Sequence, residues 1–144
     1  MARASSELEG VADCVAAMHS LSKAVANNVG RKSLRTAAAI VSNAAATRAP
    51  VSDDPRDKTR GSLKASVKVV THKGKKNSPS VAVLAADPAA VRTEYGRTNQ
   101  QAKPWFRPAV DATEQATIKA FAEALKIEIE RAAQRAAKRA SKAK

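Results

Sequence analysis

Ser62-Leu63-Lys64-Ala65-Ser66-Val67-Lys68-Val69-Val70-Thr71 and, past a break from His72 to Ser80, Val81-Ala82-Val83-Leu84-Ala85 decide the fold. Leu63, Ala65, Val67 and Val69 alternate with Lys64, Ser66 and Lys68, the period of two expected of a half-buried strand. Val81, Val83 and Ala85 continue the alternation. Gly74, Asn77 and Pro79 lie between the two runs, so they read as an antiparallel hairpin with Lys73, Lys75 and Lys76 at a basic tip. A polar loop, Pro50 to Gly61, precedes the first strand. Asp87-Pro88 marks a turn, and Val91 to Tyr95 reads as a third short strand.

Outward from this sheet the period changes to that of helices. Leu8, Val11, Val15, Met18, Leu21 and Val25 recur at steps of three and four, an amphipathic pattern with Ser5 or Ser6 as its cap and Asn27-Asn28-Val29-Gly30 as its stop. A second helix is expected from Ser33, with Leu34, Ala38, Val41 and Ala45 on one face, ending before Pro50. On the other side, Ile118, Phe121, Leu125, Ile129, Ala132 and Ala136 predict a long helix from Pro108 to about Ala140. Pro108 suits its first turn, where a missing N–H has no partner in any case. The order of helix, helix, strands and helix makes an α+β domain with helices packed on a small antiparallel sheet. The 144 residues form one domain: a helical part over 1–49, a loop over 50–61, sheet and extended segment over 62–107, and a C-terminal helix over 108–144.

Apolar residues make up 44% of the chain, but many are alanine and few are Leu, Ile or Phe. A thin core follows, with some stability left to neighbours in an assembly. The net charge of +13, from 26 basic and 13 acidic residues, favours polyanions or acidic protein surfaces; a solvated surface encoded by a high-GC genome accounts for it equally. The last fourteen residues hold six Lys or Arg and no acid. Within them Arg131, Arg135, Lys138, Arg139 and Lys142 fall mainly on one side of a continued helix. That composition resembles the sequence-independent phosphate contacts of histone-like proteins, and it equally suits a solvated helix end favoured by the helix dipole.

Only 3% of residues are aromatic, yet Tyr95, Trp105 and Phe106 fall close together. Pro104 and Pro108 bracket the Trp-Phe pair and stiffen the backbone. Such a pair docks either into the chain's own core or against a neighbour. Adjacent residues on an extended chain point to opposite sides, which places Phe106 inward and Trp105 toward an interface. Gly96 permits a backbone conformation that other residues resist, and Glu94 either contacts a neighbour or pairs with Arg92 or Arg97.

Three segments, in order, resemble the neck or tail-completion proteins of long-tailed bacteriophages. They are Arg48-Ala49-Pro50-Val51 with Thr59-Arg60-Gly61-Ser62-Leu63-Lys64-Ala65-Ser66-Val67; Val91 to Thr98 with Glu94-Tyr95-Gly96 inside it; and Ala102-Lys103-Pro104-Trp105-Phe106-Arg107-Pro108-Ala109. Together they span roughly residues 45 to 125. The loop between Pro50 and Gly61 is longer than the family's pattern, and Arg60 separates Thr59 from Gly61. The resemblance implies a structural virion protein, made in the host cytoplasm. Copies of it would form a ring, commonly sixfold, between head connector and tail tube. Contacts would come from Glu94, Tyr95, Trp105, Phe106 and Arg107, with the hairpin tip Lys73, Lys75 and Lys76 and the cations of the tail facing DNA or an acidic partner. A tail terminator capping the tube fits the same pattern. A nucleoid-type DNA-binding protein is the alternative from a different class.

Catalytic and metal chemistry find no purchase in the sequence. There is no Gly-rich phosphate loop, no Ser-His-Asp arrangement and no metal-ligand cluster, so no enzyme and no cofactor is expected. His19 and His72 lie in different elements. Asp53, Asp54 and Asp57 lack the spacing of a calcium loop and are interleaved with Arg56, Lys58 and Arg60. Cys14 sits among apolar residues as a small packed side chain. No secretory signal is expected, because Glu7, Glu9 and Asp13 interrupt the first thirty residues. No run approaches the roughly 18 apolar residues that span a bilayer.

Overall fold

A computed structural model describes residues 10–72, 74–75 and 78–143. The elements run α1 (Val11–Ser20), α2 (Lys23–Arg48), α3 (Ser62–Ser66), β1 (Val67–His72), β2 (Ser80–Ala85), α4 (Ala89–Tyr95) and α5 (Phe106–Lys142). The architecture is α+β: helices at the N-terminal side, a two-stranded antiparallel sheet and a long C-terminal helix.

The two long helices form the frame. At 1.5 Å per residue, the 26 residues of α2 run about 39 Å and the 37 of α5 about 55 Å. Ala45 shares a buried cluster with Trp105 and Ala109, whereas Lys32 reaches Glu128, so the helices lie antiparallel. Their seam is built from small side chains: Val29, Ser33, Ala37 and Ala45 from α2, Ala49 at its C-terminal end, and Ala109 and Ala132 from α5, are all buried. The core is thin, as the composition predicts. Trp105, at 3% exposure, is its bulkiest side chain.

The first helical boundary falls earlier than its pattern suggested. α1 stops at Ser20, whose hydroxyl donates to the Ala17 carbonyl. Leu21 and Ser22 are extended, and Ser22 Oγ then accepts from the Val25 amide as the cap of α2. The expected cap at Ser5 or Ser6 lies outside the described residues. Asn27 to Gly30, read as a stop, lies inside α2 instead. Packing overrides propensity here: the Pro79 ring presses on α2 so closely that a Cβ on Gly30 would lie 3.0 Å from Pro79 Cγ. That close approach offsets the roughly 1 kcal/mol that glycine costs within a helix.

Two expected strand segments are helices. Leu63 to Ser66 belongs to α3, not to the first strand. Gly61, left-handed at φ 79°, turns the chain; the Ser62 hydroxyl then bonds Asp87 Oδ2 and the Ser66 hydroxyl bonds the Leu63 carbonyl. Leu63 still points inward, into the cluster around Trp105. Val91 to Tyr95 belongs to α4, not to a third strand. Asp87 Oδ1 accepts from the Ala89 amide at 2.7 Å, Pro88 is already in helical conformation, and Gly96 ends the helix at φ 76°. Cap, proline and terminal glycine are ordinary helix punctuation, and over five residues they outweigh an apparent period of two.

The hairpin pairs as expected, but its first strand begins at Val67 instead of Leu63, and His72 and Ser80, expected in the connecting turn, form its last pair. β1 and β2 pair antiparallel from Val67 opposite Ala85 to His72 opposite Ser80. Two strands alone are marginal in water, and this pair packs on α2. Every position of β2 is half-buried.

Candidate docking face

α4 and the start of α5 meet through one carboxylate. Glu94 is buried and accepts the amides of Trp105 at 2.7 Å and Phe106 at 2.9 Å on Oε2. Its Oε1 accepts the Arg107 amide at 3.2 Å and Arg107 Nε at 3.0 Å. The first amides of a helix have no partner within it, and their dipoles sum to positive charge there. Glu94 therefore caps α5 from eleven residues upstream. Burial pushes its carboxyl up, but the four donors outweigh that and hold it at about 2. The partner is Arg107, not Arg92 or Arg97 as the sequence suggested.

The connecting strap is as constrained. Gly96 turns it, and a Cβ there would lie 2.7 Å from the Ala102 amide nitrogen. Arg97 and Gln100 exchange backbone hydrogen bonds, and the Lys103 amide donates to the Thr93 carbonyl at 2.8 Å. Pro104 and Trp105 follow, and Trp105 is driven inward. This reverses the expected placement of the aromatic pair. Trp105 fills the core with its indole Nε1 unpartnered, while Phe106 is half-buried and meets it edge-on at 5.5 Å. The chain is no longer extended at this point, because Phe106 already begins α5, so the opposite-sides rule for strands does not apply.

Outside this clamp lies an apolar face. Val91 is 66% exposed and Tyr95 64% exposed, one helical turn apart on α4. A shallow depression beside them is floored by Val83, Ala85, Ala90 and Phe106. The Arg107 guanidinium, fixed by Glu94, lies 4.9 Å from the centroid of the Tyr95 ring, a cation–π contact. Arg92, Arg97 and Lys103 are exposed nearby in the chain. The residues thus divide: Tyr95 and Arg107 are surface groups, Phe106 lines the depression, and Glu94 and Trp105 hold it from beneath. Val91 went unrecognised in the sequence, although its spacing of four from Tyr95 stacks the two on a helix.

The cations lie elsewhere. Lys75 is exposed at the hairpin tip; Lys73 and Lys76 lie outside the described residues. Arg131, Arg135, Lys138, Arg139 and Lys142 are all exposed on α5, far along the helix from the clamp. Glu128, missed in the sequence, is buried among them and binds Arg131 at 2.8 Å and Lys32 at 3.6 Å. Among the described residues no group of three or more His, Cys, Asp or Glu is placed to hold a metal ion. No described helix is long and apolar enough to cross a membrane.

No curated protein and no solved structure matches the chain. A family model does, described as "Bacteriophage HK97-gp10, putative tail-component" and aligned with residues 12–96. The match runs from α1 through α4 to Gly96. It takes in the first two resembling segments almost whole and stops before the third, so the strap and α5 lie beyond it. Since the match covers more than half of the sequence, the chain belongs to the HK97-gp10-like family of bacteriophage tail components.

Proposed function

We propose that this chain is a structural virion subunit whose copies join into a ring, commonly sixfold, at the head–tail interface, completing the neck or tail for joining. The observation that carries the reading is the exposed Val91–Tyr95 pair on a rigid, clamped support. Burying two such side chains is worth on the order of 1–2 kcal/mol each, and presenting them on a fixed surface spares the ordering cost of docking. Membership of a tail-component family supports the same reading.

The occupant of this face is a neighbouring copy. Its cationic side chains suit an apolar group beside carboxylates, and the first part of the loop over 50–61, ahead of its own cations Arg56, Lys58 and Arg60, supplies both: Val51 is 43% exposed, and Asp53 and Asp54 are exposed beside it. Two unlike faces on one subunit give a head-to-tail contact, which closes into a ring when the rotation allows. Replacing both Val91 and Tyr95 by Glu tests this. The doubly substituted subunit should keep its far-ultraviolet circular dichroism yet remain a monomer in native mass spectrometry, and it should fail to rescue head–tail joining in extracts lacking the protein. A variant that assembles and rescues like the parent would overturn the docking assignment. Cryo-electron microscopy of the particle then tests the position, since density at the junction supports the neck and density only elsewhere on the tube refutes it.

A further inference from the structure

Beyond Ala132, α5 continues with every position from Ala133 to Ala143 exposed. This stretch carries Arg135, Lys138, Arg139 and Lys142 and no acid. At 100° per residue, the four fall with Arg131 within about 100° of arc, one strip along the helix. Arg131 is occupied, because Glu128 holds it together with Lys32. None of the other four pairs with a carboxylate of the described residues. The strip also gains a second wall. A groove of about 460 Å³ lies between the start of α2 and the end of α5, with Asn28 and Lys32 on one side and Arg135 and Arg139 on the other.

We infer that this strip binds the phosphate backbone of double-stranded DNA without regard to sequence. Arg135 to Lys142 spans about 10 Å of helix rise, and one DNA strand offers a phosphate every 3.4 Å or so of its axis. The cations thus meet several neighbouring phosphates at once. The residues between them are almost all alanine, which lets the helix approach the backbone closely. No aromatic side chain stands on this stretch to stack unpaired bases; Arg135 and Arg139 are the groups best able to reach a guanine edge, which is why duplexes of unrelated sequence are compared. An acidic protein surface is the less suited partner, because the strip lacks the apolar anchor that dominates protein interfaces. The inference goes beyond ring assembly and does not rest on it.

Fluorescence anisotropy of the full chain with two unrelated 30-base-pair duplexes tests it. With four phosphates neutralised per bound chain, the slope of log affinity against log salt should be about −3.6, an affinity loss of roughly 150-fold from 50 to 200 mM salt. Both duplexes should behave alike. Combined Arg135→Gln, Lys138→Gln, Arg139→Gln and Lys142→Gln should remove about 3.6 from the magnitude of that slope, whereas Arg131→Gln should change it by less than about 1. A control with Arg56, Lys58, Arg60 and Lys119 changed to Gln should keep it. Equal losses in the control would show bulk charge at work and overturn the assignment. So would an unchanged slope in the fourfold variant, or a variant that binds DNA normally but no longer joins heads to tails, which would assign the strip to an acidic protein partner.

Discussion

Replacing Glu94 by Gln keeps the shape of the clamp and removes its charge. Glu94 is buried, accepts three backbone amides and one guanidinium N–H, and titrates at about 2 instead of 4.5. At about 1.4 kcal/mol per pH unit, this is a preference of about 3 kcal/mol for the ionised form in the folded state. Glutamine offers one acceptor oxygen where two served, and turns an amide donor toward the donors of Arg107. At pH 7 the variant should therefore lose about 3 kcal/mol, a large share of the roughly 5–15 kcal/mol that holds a domain together, and melt roughly 6–12 °C lower. The folded value lies below the unfolded one, so the contribution is complete above pH 4.5 and is lost as pH falls toward 2. Urea unfolding followed by Trp105 fluorescence, at pH 7, 4.5, 3.5 and 2.5, measures both effects. The quantity that matters is the difference between parent and variant, since Glu128 is also depressed against its burial by Arg131 and Lys32 and contributes its own pH dependence. A difference under 1 kcal/mol at pH 7, or one that fails to shrink at pH 2.5, refutes the clamp.

Two further outcomes follow from the same corner of the molecule. Trp105→Ala should destabilise by about 3–5 kcal/mol, read as a thermal shift, because the indole is the largest group in a core otherwise built from Ala, Val and Leu. Gly96→Ala should cost about 1–3 kcal/mol, since its φ is 76° and the new methyl would meet the Ala102 and Gln100 backbone within 2.8 Å; unchanged urea midpoints would show that the strap yields more easily than its packing implies.

The long last helix was legible because it rests on a period sustained over many residues, the hairpin because two β-branched runs flank a Gly-Asn-Pro break, and the thin core because alanine dominates the apolar composition. The two runs announce a hairpin, but its register, from Val67 opposite Ala85 to His72 opposite Ser80, is set by packing on α2 and by the turn, since burial does not alternate along β2. What misled was shortness. Over Leu63 to Ser66 and Val91 to Tyr95 a period of two cannot be told from one of 3.6, and only the punctuation (Gly61, Asp87-Pro88, Gly96) decides. Gly30 misled for a different reason, since the Pro79 ring that explains it lies 49 positions away. The segment from Tyr95 to Phe106 stood out as a concentration of aromatics, and Gly96 takes the left-handed φ expected of it. The inward turn of Trp105 was not visible, because it depends on α5 beginning at Phe106, and that start is set by a carboxylate twelve residues upstream.

The pairing of α2 with α5 has a bearing on the order of events during synthesis. α2 emerges from the ribosome well before its partner, and at about 5–20 residues per second it waits several seconds with its buried face uncovered. That face is made largely of alanine and serine, so the waiting helix presents far less sticky surface than leucine or isoleucine would. Tyr95 is translated early too, but Glu94 has nothing to grip until the amides of Trp105, Phe106 and Arg107 line up at the head of α5. The Val91–Tyr95 face is thus given its fixed support last, only once α5 has formed, so its geometry is among the final features of the fold to be set.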